Sequence, residues 1–150
     1  MRMRYILIPV MICIATSLQA QDQKAKAQAL VKEAVAFGKK NGKEALLKET
    51  NQGQGRFHVK SGDELYVFIY DMAGVCQAIG YQSQMIGVNR WGLKDPDGKF
   101  FLQEMIALAK SKGSGWVDYK YPNPKNGKIE QKTSYVEALN DWMVGCGVYK

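Results

Sequence analysis

The chain has 150 residues, 46% of them hydrophobic, with 21 basic against 14 acidic side chains and a formal charge of +7. That length sets one domain, and that apolar fraction is enough to bury a core without disulfide staples. The charge does not make a nucleic-acid binder: the six lysines of Lys24–Lys43 are separated at helical spacing by Ala, Leu, Val and Phe, which is a solvated helix face and not a basic stripe interleaved with aromatics.

The N-terminus reads as a targeting segment. Met1–Arg4 is basic, Tyr5–Ala15 is a short apolar run, and Thr16–Ala20 ends in a small residue. This is the pattern of a secretory signal peptide, residues 1–20, cut after Ala20. An uncleaved anchor fits less well, because Tyr5–Leu18 is shorter than the ~20 residues a bilayer needs and contains Pro9. The expectation is an exported, periplasmic domain, residues 21–150, that does not span the membrane after cleavage. Two cysteines remain in it, Cys76 and Cys146, and export would permit a disulfide.

Gln23–Lys40 has helical periodicity, with Leu30, Ala34 and Phe37 on one stripe and Val31 and Val35 beside it. Asn41-Gly42 ends or kinks that helix, and Lys43–Thr50 forms a second short one. Asp63–Asp71 is the strongest strand. Leu65, Val67 and Ile69 face one way and Tyr66, Phe68 and Tyr70 the other, so both faces are covered and the strand is central. The aliphatic face should meet the N-terminal helix. The aromatic face should line a pocket, with Tyr70 as a candidate wall residue.

Met72-Ala73-Gly74 turns the chain into a return strand, Val75–Tyr81. Gln82–Pro96 is irregular, with Trp91 prominent among polar neighbours, and Asp95-Pro96-Asp97-Gly98 is a turn. Lys99–Lys112 is an amphipathic helix with Phe101, Met105, Leu108 and Ala109 inward. Gly115–Tyr121 and Ile129–Leu139 form a hairpin around Pro122–Gly127, and Asp141–Tyr149 is a last strand. Gly145 and Gly147 leave one of its faces bare, for close packing against a helix or for a ligand. This order fits an α+β fold, an antiparallel sheet with helices on one side.

In the hairpin, Val117, Tyr119 and Tyr121 share a face. With Asn126-Gly127 at the centre of a tight turn, Tyr121 sits opposite Lys132 and Tyr119 opposite Ser134. Two phenols, a hydroxyl and an ammonium then share one surface, which suits a small carboxylate. The two prolines also allow a longer loop, which would slip the pairing by one and swap the faces.

Catalytic patterns are weak. His58 is the single histidine, so a zinc site lacks its ligands. No Gly-x-Ser-x-Gly elbow or nucleotide-binding glycine fingerprint occurs. Tyr121-x-x-x-Lys125 mimics a reductase pair, but Pro122 and Pro124 forbid the helix that would align it. No enzyme activity and no cofactor are expected.

The run from Trp116 to Val136, W-V-x-Y-x-Y-P-N-P-x-x-G-K-I-x-x-K-x-S-Y-V, resembles the signature of single Cache domains, PAS-like sensor domains found outside the bacterial inner membrane. The likeness extends from about Ala27 to Tyr149 through Asp71 with Gly74, Asp95 to Gly98, and the closing Val144-Gly145-x-Gly147-Val148-Tyr149. It implies a five-stranded antiparallel sheet with a long N-terminal helix and a helix between strands two and three. It also implies a small organic acid or amine held between sheet and loop, with Tyr119, Tyr121 and Lys132 as contacts and Trp91 on the lid. One phrase departs: Gln77-Ala78-Ile79 stands where related chains often carry histidine after the small residue. The PAS-like order puts the two cysteine strands on either side of one central strand, ~9–10 Å apart. A disulfide spans at most ~7 Å between Cα atoms, so free thiols are expected. The chain resembles the stand-alone exported version, which would signal through a partner. The alternative is an interaction module with an empty pocket that docks a membrane receptor.

Overall fold

The computed structural model describes the backbone of residues 12–150 and the side chains from residue 18 onward. The expected signal peptide falls outside the described residues for positions 1–11. Positions 12–20 are helical and continuous with the first long element. That element, α1, runs Ile12–Asn41, so it begins well before Gln23. Asp22 and Lys26, one turn apart, pair at 2.7 Å on its exposed side. Ala27, Val31, Ala34 and Val35 are its fully covered residues, while Leu30 and Phe37 flank them. Gly42, at φ +89°, breaks the helix as expected, and α2 follows at Lys43–Asn51.

Five strands form one antiparallel sheet in the order β2-β1-β5-β4-β3: β1 Phe68–Asp71, β2 Cys76–Ile79, β3 Ser114–Pro122, β4 Ile129–Leu139 and β5 Trp142–Tyr149. α3, Phe101–Lys112, lies between β2 and β3 in sequence. β1 is interior, as its two apolar faces require, but shorter than Asp63–Asp71. The Asp63 carboxylate accepts the N–H groups of Glu64 and Leu65 and bends the chain there. Val67 still pairs locally, donating its N–H to Phe57 O at 3.0 Å and accepting from Gly80 N at 2.8 Å.

The helices do not share one side of the sheet, which corrects the sequence expectation. Val67 and Ile69 of the first strand region, Tyr135 of β4, and Val144, Cys146 and Val148 of β5 pack with α1 and α2. Tyr66, Phe68, Tyr70, Tyr119, Val136 and Met143 pack with α3 on the opposite face. Strands apolar on both faces need cover on both, and α3 with its preceding loop supplies the second layer. Cys76 and Cys146 sit on β2 and β5, either side of β1, and both are free and buried.

The hairpin register also differs from a tight Asn-Gly turn. Tyr119 faces Lys132, Tyr121 faces Glu130 and Val117 faces Ser134. Residues 123–128 form the loop, closed by Asn123 N–H to Lys128 O at 2.8 Å and Gly127 N–H to Asn123 O at 2.7 Å. The side-chain amides of Asn123 and Asn126 both donate to the Glu130 carboxylate at 2.7 Å, holding the longer loop. The pairing slips by two residues, an even number, so every side chain keeps its expected face.

Candidate functional site

Lys132 lies on β4 at the face covered by α3, and it is 1% exposed. Its Nζ donates to the Tyr66 hydroxyl at 2.9 Å. The same nitrogen stands 4.5 Å from the Tyr66 ring centre, 4.7 Å from that of Tyr149 and 5.3 Å from that of Tyr121. Three ring faces and one hydroxyl favour the ammonium. Burial opposes it and pulls its pKa down to about 7, with Cys146 and then Glu64 acting the other way. Among the described residues no carboxylate forms an ion pair with it; Glu64 itself pairs with Lys125 at 3.5 Å.

The last strand makes room for this lysine. A Cβ on Gly147 would stand 2.6 Å from Lys132 Cε and 2.2 Å from Ser134 Oγ, and one on Gly145 would stand 2.3 Å from the Phe68 ring. The bare face of β5 is therefore filled by neighbouring side chains of the sheet, not by a helix or an open void.

Beside the cage is a small cavity of about 20 Å³, space for about one water. Of the expected site residues, Tyr70, Tyr119 and Tyr121 line it, together with Tyr66 and Arg90. Tyr119 is 4% exposed, stacks on Phe101 of α3 with centroids 4.4 Å apart, and shares a hydrogen bond with Ser134 Oγ at 3.0 Å. Burial holds the phenols of Tyr66, Tyr70 and Tyr119 above their ordinary range, so all are neutral donors. Ile79 is also on the wall, at the point where the sequence departs from histidine. Lys132 is not on this wall, but its Nζ is 4.5 Å and 5.3 Å from the centres of the Tyr66 and Tyr121 rings, which are.

Trp91 does not line the cavity. It is 41% exposed and crosses over Gly74, and its carbonyl accepts from Gln103 Nε2 at 2.8 Å, tying the loop to α3. Its neighbour Arg90 turns inward, where Nη1 donates to the Tyr121 hydroxyl at 2.8 Å. Tyr66 lies on the aromatic strand face expected to line the pocket, whereas Arg90 and Tyr149 were not among the residues expected at the site. A signal existed for Arg90, the only charged residue in Gln82–Leu93.

The thiols offer no nucleophile at neutral pH. Burial pushes Cys76 up to about 11 and Cys146 up to about 12. Among the described residues no group of three His, Cys, Asp or Glu is placed to hold a metal. The arrangement is one of binding groups: two cations, several neutral phenols and an apolar floor.

Comparison with known proteins agrees in fold. The family model described as Single Cache domain 2 matches residues 15–150. The sensor histidine kinase MctS of Rhizobium johnstonii is 41% identical over 90 residues, covering 59% of this chain and 19% of that protein. The chain thus spans about a fifth of that relative's length. A Cache chemosensory domain described for carboxylic acid recognition is 27% identical, with a TM-score of 0.64 over 92% of this chain and 95% of that one. A methyl-accepting chemotaxis protein of Vibrio parahaemolyticus shares the fold at 20% identity, with a TM-score of 0.73 over 89% of this chain and 92% of that one.

Proposed function

Because the chain belongs to the single Cache domain family, we propose that it binds a small organic carboxylate beside Lys132, between the sheet and the loop that carries Arg90. One observation carries the reading. Lys132 is buried, is pulled toward neutrality and has no carboxylate partner among the described residues. A cation so placed is costly unless something else completes it. A guest carboxylate would do so, with a charge-assisted bond contributing ~1.5–3 kcal/mol. Arg90 and the tyrosine hydroxyls offer it further donors. Two cations at the site favour an acid over an amine. The described solved relative that recognises carboxylic acids supports the same choice.

The cavity, about 20 Å³, is too small for an acid as it stands. Binding therefore requires the Tyr66 ring, 4.5 Å from Nζ, to swing aside and let the carboxylate reach that nitrogen. The protein acts by binding, without catalysis, in the periplasm after export through residues 1–20. It passes the signal to a partner such as a membrane receptor. No described helix is long and apolar enough to cross a membrane.

Calorimetric titration with acetate, propionate and pyruvate tests this. Lys132→Met keeps the volume and removes the charge. The expected result is loss of binding with an unliganded melting point that is unchanged or higher, since a buried, uncompensated ammonium is absent. Equal binding by wild type and variant would make Lys132 a structural residue only. No binding of any acid to the wild type would remove the carboxylate reading.

A further inference from the structure

We propose that Arg90 and Tyr121 form a partition that sets the length of acid the site accepts. This rests on the carboxylate reading above and deepens it. The same two residues also line a groove of about 460 Å³. Arg90, Tyr121 and Phe101 line both spaces, so they are the wall between them. The rest of the groove is largely apolar, with Met85, Leu93, Pro122 and Ile129 among its walls.

The charged groups of the groove are already engaged. Lys120 pairs with Asp97 at 2.9 Å, and Lys94 lies over the Phe100 ring at 4.6 Å. The Asp95 carboxylate accepts the N–H groups of Asp97, Lys99 and Lys120. The groove therefore suits an alkyl chain, and the head group belongs on the Lys132 side.

The parts of the wall differ in firmness. Phe101 is 7% exposed, anchored in α3 and stacked on Tyr119. Tyr121 is half-buried at the end of β3, and Arg90 comes from the irregular loop. The 2.8 Å bond between them spans the gap. With that pair in place, an acid held at Lys132 meets the Tyr121 ring after a few carbons. With the ring removed, cavity and groove join, and the tail of a longer acid continues into apolar surroundings.

The test is calorimetric titration of the full chain with the straight-chain series from acetate to octanoate. Wild type is expected to bind the shortest members and to lose affinity sharply before hexanoate. Tyr121→Ala is expected to bind hexanoate and octanoate, gaining roughly fourfold in affinity per added methylene that reaches the groove. Tyr121→Val, which suits a strand, reads the same effect over fewer carbons should the alanine variant fail to fold. Tyr121→Phe keeps the ring and should keep the same chain-length limit whatever happens to overall affinity. The proposal is overturned if wild type already binds octanoate as tightly as propionate, or if Tyr121→Ala and Tyr121→Val leave the ranking of chain lengths unchanged. An absence of binding across the whole series in every protein defeats the carboxylate reading itself and with it this one.

Discussion

Lys132 concentrates the energetic conflict of the site. Its folded pKa of about 7 lies below the ordinary lysine value of 10.5. Below pH 7 the group is charged in both folded and unfolded chains and adds no slope to stability. Between about pH 7 and pH 10 the unfolded chain keeps a proton that the folded chain has released, so unliganded stability should rise with pH. Denaturant unfolding across that range should show the rise in wild type and a flatter profile in Lys132→Met. A carboxylate needs the charged form, so acid affinity should fall as pH climbs from 7 to 9, by up to about tenfold per unit. A pH-independent affinity would place the acid away from this nitrogen. Alternation along a strand put Tyr119 and Tyr121 on one face, but Lys132 was singled out as a contact through the family resemblance, since its face depended on the hairpin register. The burial of the ammonium was not legible, since three of its partners, Tyr66, Tyr149 and Gly147, come from strand regions distant in sequence.

The hairpin shows which part of an element local chemistry determines. Face followed from period-two alternation. Register depended on loop length, and the hydrogen bonds of Asn123 and Asn126 to Glu130 lengthened the loop beyond the turn that Asn-Gly alone suggests. In β5, adding a methyl at Gly147 would drive it into Lys132 and Ser134. Gly147→Ala should therefore cost ~1–3 kcal/mol in chemical denaturation and abolish acid binding together. The loop that presents Arg90 is fastened to β3 by Asp95, whose carboxylate accepts three backbone N–H groups at 2.9–3.1 Å. Burial works against that charge, but the N–H groups of Lys99, Lys120 and Asp97 outweigh it and hold the carboxyl below its ordinary range. The stabilisation is present above the unfolded value of 3.8 and lost as pH falls through the lower folded one. Asp95→Asn should speed hydrogen exchange at the amides of Asp97, Lys99 and Lys120 relative to the rest of β3. Unchanged exchange there would show that the loop is held by other contacts.

At the scale of the molecule, a single sheet separates two different interiors. The α1 side mixes aliphatic residues with Phe57, Tyr135 and Trp142, and the α3 side holds Tyr66, Tyr70, Tyr119, Lys132 and the cavity. The interior place of β1 and the division of its two faces were readable from apolar runs and alternation, whereas the strand order came only from the family resemblance. The placement of α3 on the opposite side was not readable, because helix periodicity shows that a face is buried but not which surface buries it. The inward turn of Arg90 escaped for a related reason: irregular segments have no period to extrapolate. The proposed function rests on a covered ammonium that has no carboxylate partner among the described residues and receives an acid. The most direct measurement is the structure of the protein crystallised with propionate. Binding at this ammonium predicts a carboxylate oxygen within about 3 Å of Lys132 Nζ, with the Tyr66 ring displaced. Propionate bound elsewhere, with Nζ still held by Tyr66 alone, would contradict it.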